Sequence, residues 1–161
     1  MDGKLRSMTC VYLRREDKLL LLYRQGGRVV NNVYTGSAGG HFEPHELYDA
    51  RACVLRELKE ELGLDESHLV GLRLRYVTLR YMQGEIRQNY YFFAHLSEDA
   101  GELSSNEGTL RWVDIGKAME LDMPISAKPM LGHYISTGQY DDVLYAGIVN
   151  GETTVNFVAM I

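Results

Sequence analysis

A chain of 161 residues is near the modal size of one domain and long enough to bury a core, so one unit spanning 1–161 is expected. Its 45% hydrophobic and 24% charged residues are ordinary for a globular protein, and no apolar run approaches the roughly 18 to 20 residues of a membrane span. A net charge of -5 argues against a broad grip on nucleic-acid backbones, which needs a basic face. A small-molecule partner is therefore expected, with neither a stable nucleic-acid complex nor a membrane. The short polar stretch from Met1 to Arg6 lacks the apolar core of a secretory signal, which points to the cytoplasm.

In chain order, Met8 to Leu13 and Lys18 to Tyr23 are apolar and β-prone, with Glu16 and Asp17 between them, and read as a hairpin. Gly26, Gly27, Asn31 and Asn32 mark a loop, and Gly36 to Gly40 a second break. Between Asp49 and Leu62, Leu55, Leu58 and Leu62 recur at helical spacing, and Gly63 stands where a C-terminal cap belongs. Val70 to Met82 and Ile86 to Leu96 read as long strands joined through Gln83, Gly84 and Glu85, and Leu110 to Val113 as a short one. A second helix is expected within Pro124 to Thr137, kinked or split by Pro129. At the end, Asn150 and Gly151 carry the signal of a two-residue turn between Val143–Val149 and Thr153–Val158. The exposed edges of that hairpin offer a route to a homodimer. Cys10 and Cys53 lack metal-ligand spacing and read as buried thiols.

Chemistry concentrates in the first helix. Glu57, Glu60 and Glu61 stand at i, i+3 and i+4, so their side chains leave one side of the helix. Like charges at this spacing repel by about 0.2 to 0.5 kcal/mol per pair in an isolated helix, and a divalent cation turns that repulsion into attraction. Magnesium takes carboxylate and phosphate oxygens together and activates a bound water, which suits hydrolysis of a phosphoanhydride. The plainer reading of the same residues is a solvated helix face.

The surrounding residues resemble the signature of the Nudix family, which runs Gly, five residues, Glu, seven residues, then Arg-Glu-U-x-Glu-Glu-x-Gly-U with U a bulky aliphatic. Arg56 to Leu64 matches the second half position for position, and Gly40 and Glu46 match the first. Two departures stand out: nine residues rather than seven separate Glu46 from Arg56, and Ala38 replaces a proline common before the paired glycines. The extra residues are expected to lengthen the stretch around Leu47 to Asp49.

The resemblance implies an α/β (α+β) fold of the Nudix type, a mixed β-sheet sandwiched between helices. It implies Mg2+, with Mn2+ able to substitute, held by Glu57, Glu60, Glu61 and the carbonyl of Gly39. Arg56 would hold the carboxylates in position, Glu46 would support it, and the general base would be Glu60, Glu61 or the later acid Glu107. The implied reaction is cleavage of a nucleoside diphosphate linked to another group. One form is conversion of oxidised nucleoside triphosphates (8-oxo-dGTP diphosphatase activity) to monophosphate and pyrophosphate; ADP-ribose and other nucleotide sugars are the rival substrates. A Nudix-like sensor that binds a nucleotide without cutting it is the alternative of another class. Tyr34, Tyr81 and Trp112 are candidates for stacking on a base, against an ordinary place in the core. His41, beside the glycine pair, is a candidate for contact with phosphate.

Overall fold

A computed structural model describes residues 4–26, 31–150 and 155–160. Strands β1 (Lys4–Arg15) and β2 (Lys18–Arg24) form the expected hairpin, with Arg15 opposite Lys18 and Glu16 at φ 47° in the turn. Helix α1 (Ala50–Leu62) starts where the Asp49 side chain accepts from the Ala52 amide at 2.9 Å. It stops at Gly63, whose φ of 67° suits a residue without Cβ. There the amides of Gly63 and Leu64 return to the Lys59 and Leu58 carbonyls, and Leu64 is buried beneath the turn.

The strands β3 (Val33–Thr35), β4 (Ala38–His41), β5 (Leu69–Met82), β6 (Glu85–Leu96), β7 (Thr109–Asp114), β8 (Leu144–Ile148) and β9 (Phe157–Met160) complete a mixed sheet ordered β3-β2-β1-β6-β5-β8-β9. β1 runs parallel to β6 along most of its length. Its other edge is shared: residues near Leu13 pair with β2, while Met8 to Val11 pair with β4. The sheet therefore forks, and Ser37 fills the fork. Its hydroxyl accepts from the Leu13 amide at 2.9 Å and donates to the Leu20 carbonyl at 2.5 Å, satisfying backbone groups that the fork would leave unpaired.

Alternation along the strands sends side chains to two cores. Val11, Leu13, Phe92 and Ala94 face Val54 and Leu58 of α1. Tyr12, Tyr91, Phe93 and Tyr76 face Met130, Leu131 and Tyr134 of helix α2 (Ala127–Ser136). The sheet lies between α1 and α2, and among the described residues no helix is long and apolar enough to cross a membrane.

Three expectations are corrected. Gly36 to Gly40 is not simply a break, because Ala38–His41 pairs with β1. Pro129 neither kinks nor splits α2; it occupies the first turn, where backbone N–H groups have no helical partner to lose. β8 and β9 pair with Gly147 opposite Phe157, a register in which Asn150 and Gly151 are not the two central residues of the hairpin. Gly151 itself lies outside the described residues.

Leu131 is fully buried under the sheet, so Leu131→Ala is expected to destabilise the protein by about 2–5 kcal/mol. Urea denaturation measures this; a loss well under 1 kcal/mol would contradict the assignment of this core.

Candidate active site at the α1–β4 junction

The site forms where α1 packs across β4. Gly40 has no room for a side chain, since a Cβ there would meet the Glu57 carboxylate, and one on Gly39 would meet the Thr9 carbonyl. Glycine at both positions lets backbone and carboxylates approach closely. The Gly39 amide donates to Glu61 Oε2 at 3.2 Å. Glu57 is buried, Glu61 half-buried and Glu60 exposed.

Arg56 binds these groups together. Its Nε and Nη2 donate to the two oxygens of Glu46 at 2.6 and 3.0 Å, and Nη1 donates to Glu57 at 2.8 Å and Glu60 at 3.1 Å. Nη2 also donates to the His41 carbonyl at 3.1 Å. Glu46 is only 2% exposed and further accepts from the Glu43 amide at 2.9 Å. These bonds, those from Arg56 first, hold its carboxyl well below the ordinary range, at about 2. The extra residues after Glu46 leave this contact intact, because Leu47 and Tyr48 project into solvent and Asp49 turns back to cap α1.

Burial pushes the Glu61 carboxyl up to about 7, with the charges of Glu57 and Glu107 acting in the same direction. The Gly39 amide and Arg24 oppose them. Glu107 therefore sits within electrostatic reach of Glu61, on a loop where its Oε2 lies 3.9 Å from Arg24 Nη2.

Among the described residues, Glu43, His45 and Glu46 are the one trio of potential ligands whose donor atoms all lie within 4.8 Å of one another. Both Glu46 oxygens are already engaged by Arg56. The carboxylates of α1 are directed to different partners, Glu57 and Glu60 to Arg56 and Glu61 to Gly39. As a donor set, however, three carboxylates on one side of a helix beside a glycine strand fit a hard divalent cation.

A cleft of about 530 Å³ opens on the α2 side of the sheet, with Gly39, Cys10 and Arg24 in its wall and Arg80, Arg87 and Asn89 lining it on β5 and β6. Tyr34 is not brought to this cleft. Its neighbours Val33 and Thr35 line it, whereas the Tyr34 ring packs on Tyr23 at 4.8 Å and its hydroxyl accepts from Arg111. Trp112 is also placed elsewhere: pairing of β7 with β2 sets it opposite Leu20, against the α1-side core, with the Arg15 guanidinium over its ring. Tyr81 is exposed. The His41 ring stands with its Nε2 3.2 Å from Arg6 Nη2, and its pKa is lowered by burial and by Arg6 and Arg87. Burial raises the Cys10 and Cys53 thiols to about 12 and about 11, which leaves both protonated near neutrality.

The cleft arginines and Asn89 escaped the sequence reading. Their signal was the period-two spacing of Arg87, Asn89 and Tyr91, which shares a face only if the strand is in this register.

Comparison with known proteins agrees with this architecture. The model of the NUDIX domain matches residues 3–134. Similar solved structures include a mutator MutT protein from Bacillus halodurans, at 22% identity and a TM-score of 0.70, covering 96% of this chain and 97% of that one. The ORF135 protein of E. coli is 22% identical with a TM-score of 0.67, over 87% of this chain and 96% of its own. An Ap4A hydrolase from C. elegans is 17% identical with a TM-score of 0.59, over 85% and 98%. Comparison with curated proteins gives no match. The chain belongs to the Nudix family. It is a Nudix hydrolase.

Because the folded-state pKa of Glu46 is depressed, its stabilisation is fully present above the ordinary carboxylate range and is lost as the pH falls through about 2. At neutral pH this amounts to about 3 kcal/mol. Glu46→Gln should therefore lower stability at neutral pH, and the gap from the unsubstituted protein should shrink by more than half near pH 3. Denaturation curves for both proteins at the two pH values test this; a gap independent of pH would contradict it.

Proposed function

We propose that this chain is a Mg2+-dependent enzyme, with Mn2+ able to substitute, that cleaves a nucleoside diphosphate linked to another group. The observation that carries the reading is the meeting of Glu57 and Glu61 with the Gly39–Gly40 strand beside a cleft containing three arginines. Glu57, Glu60, Glu61 and the Gly39 carbonyl would hold the metal. When bound, it supplies charge neutralisation for the phosphates and a water of lowered pKa.

The chain's own groups supply positioning. Arg56 fixes Glu57 and Glu60 through one guanidinium nitrogen, and Glu46 holds that guanidinium from the other side. Glu61 is oriented by the Gly39 amide. A general base must reach the attacking water, and Glu60, Glu61 and Glu107 are the three carboxylates available. Arg24, between Glu107 and Glu61 in electrostatic terms, is suited to meet a phosphate oxygen.

Two substrate types follow. The resemblance of the Arg56–Leu64 motif to the Nudix signature suggests oxidised nucleoside triphosphates, cut to monophosphate and pyrophosphate. The three arginines lining the cleft favour ADP-ribose or other dinucleotides instead. The action is expected to take place in the cytoplasm.

Glu61→Gln is expected to lower turnover by at least ~100-fold while the fold survives. A panel of oxidised and normal nucleoside triphosphates, ADP-ribose and dinucleotides, assayed with Mg2+ and with a chelator, reads this out. Full activity of the variant, or of the chelated protein, would overturn the assignment.

A second outcome concerns the glycine cradle. Gly40→Ala forces the Glu57 carboxylate aside, and Mg2+ affinity measured by calorimetry is expected to fall by about tenfold or more. Unchanged affinity would remove Glu57 from the metal site.

A further inference from the structure

We propose that Arg80 and Arg87 form a second anion subsite at the far end of the cleft, which takes a phosphate carried by the substrate at a distance from the bond that is cut. This rests on the proposed pyrophosphohydrolase reading and narrows its substrate class to compounds with an additional phosphomonoester. A dinucleotide phosphorylated on a ribose 2′ or 3′ oxygen has that chemistry.

Arg80 on β5 and Arg87 on β6 are directly opposite each other in the antiparallel register, and both line the cleft. Like charges in that relation destabilise a strand pair. Among the described residues little offsets them. Glu85 Oε2 lies 3.6 Å from Arg87 Nη2, but the same oxygen lies 3.5 Å from Arg6 Nη1. The Arg80 side chain has no hydrogen bond or ion pair among the described residues, and Arg87 Nε is buried without a partner. Two guanidiniums, those of Arg6 and Arg87, thus share one carboxylate while Arg80 has none, an arrangement that a bound dianion completes through paired N–H donors.

The position is set by the strands. Gly39 is opposite Cys10, Cys10 is beside Tyr91, and Arg87 lies four residues farther along β6. At the rise of an extended strand this offsets Arg87 by roughly 13 Å along the strand direction from the level of Gly39. Asn89 lines the cleft between the two ends. A nucleoside moiety held against Asn89 would direct one phosphate toward the α1 carboxylates and another toward Arg80 and Arg87.

The first arm of the test needs no catalysis. Calorimetry on the metal-free protein compares adenosine 5′-monophosphate with its 2′,5′- and 3′,5′-bisphosphate analogues. At least one bisphosphate should bind about tenfold tighter, and Arg80→Gln or Arg87→Gln should abolish that preference. Arg73→Gln removes the same charge from an exposed position on β5 outside the cleft, and should retain the preference. Circular dichroism and thermal melting confirm that each variant is folded. The second arm compares NADPH with NADH, and coenzyme A with its 3′-dephospho form, as substrates with Mg2+. The phosphorylated member of at least one pair should show the higher kcat/KM through KM, with the advantage lost in Arg80→Gln. Equal binding of mono- and bisphosphates by the unsubstituted protein, or a preference that persists in both cleft variants, would overturn the subsite. Absence of turnover on every substrate would overturn the hydrolytic reading, while the binding arm still decides the subsite.

Discussion

The geometry of the site depends on one guanidinium. Arg56 spends its donors on Glu46, Glu57, Glu60 and the His41 carbonyl, and so ties α1 to the turn before it and to the end of β4. The fork geometry of arginine suits the bidentate contact with Glu46. Because Glu46 is almost wholly withdrawn from water, losing either partner strands a charge in a poor solvent. The neighbouring glycines complete the constraint from the other side, since a side chain at either would occupy space that the carboxylates and β1 already fill.

The fork in the sheet explains why a cleft exists beside this cluster. β1 gives one stretch of its edge to β2 and another to β4, and the two neighbours diverge around Ser37. Divergence exposes a floor made of β1, β6 and β5, where alternate residues point toward α2. On the same floor the residues of opposite parity point toward α1 and pack as apolar core. Catalytic carboxylates and substrate-facing arginines are thus served by opposite faces of one sheet, meeting at β4.

Much of this was readable from local pattern. The β1–β2 hairpin, the long β5–β6 pair and both ends of α1 were marked by turn residues and caps, whose effects act over a few positions. The nature of the chemistry was also evident, because Glu57, Glu60 and Glu61 lie within one turn of a helix. What failed was anything decided by strand register. Residue type makes Tyr34 and Trp112 candidates for stacking on a base, yet pairing with β2 turns both rings away from the cleft. Register is a non-local property, and a shift of one residue exchanges the two faces. The pairing of Arg80 with Arg87 was hidden for the same reason, as was the strand character of the glycine segment.

The stretch between Glu46 and α1 shows which part of the motif is free to change. One end is anchored by a buried carboxylate against Arg56, and the other by the Asp49 cap, so neither end depends on the number of residues between them. Leu47 and Tyr48 merely loop outward. A family pattern written as a string with fixed gaps misreads this chain at that point, while a pattern written as contacts does not. Loop length here is therefore a neutral variable, open to drift or to recruitment as a new surface, with the ion-pair junction acting as the invariant.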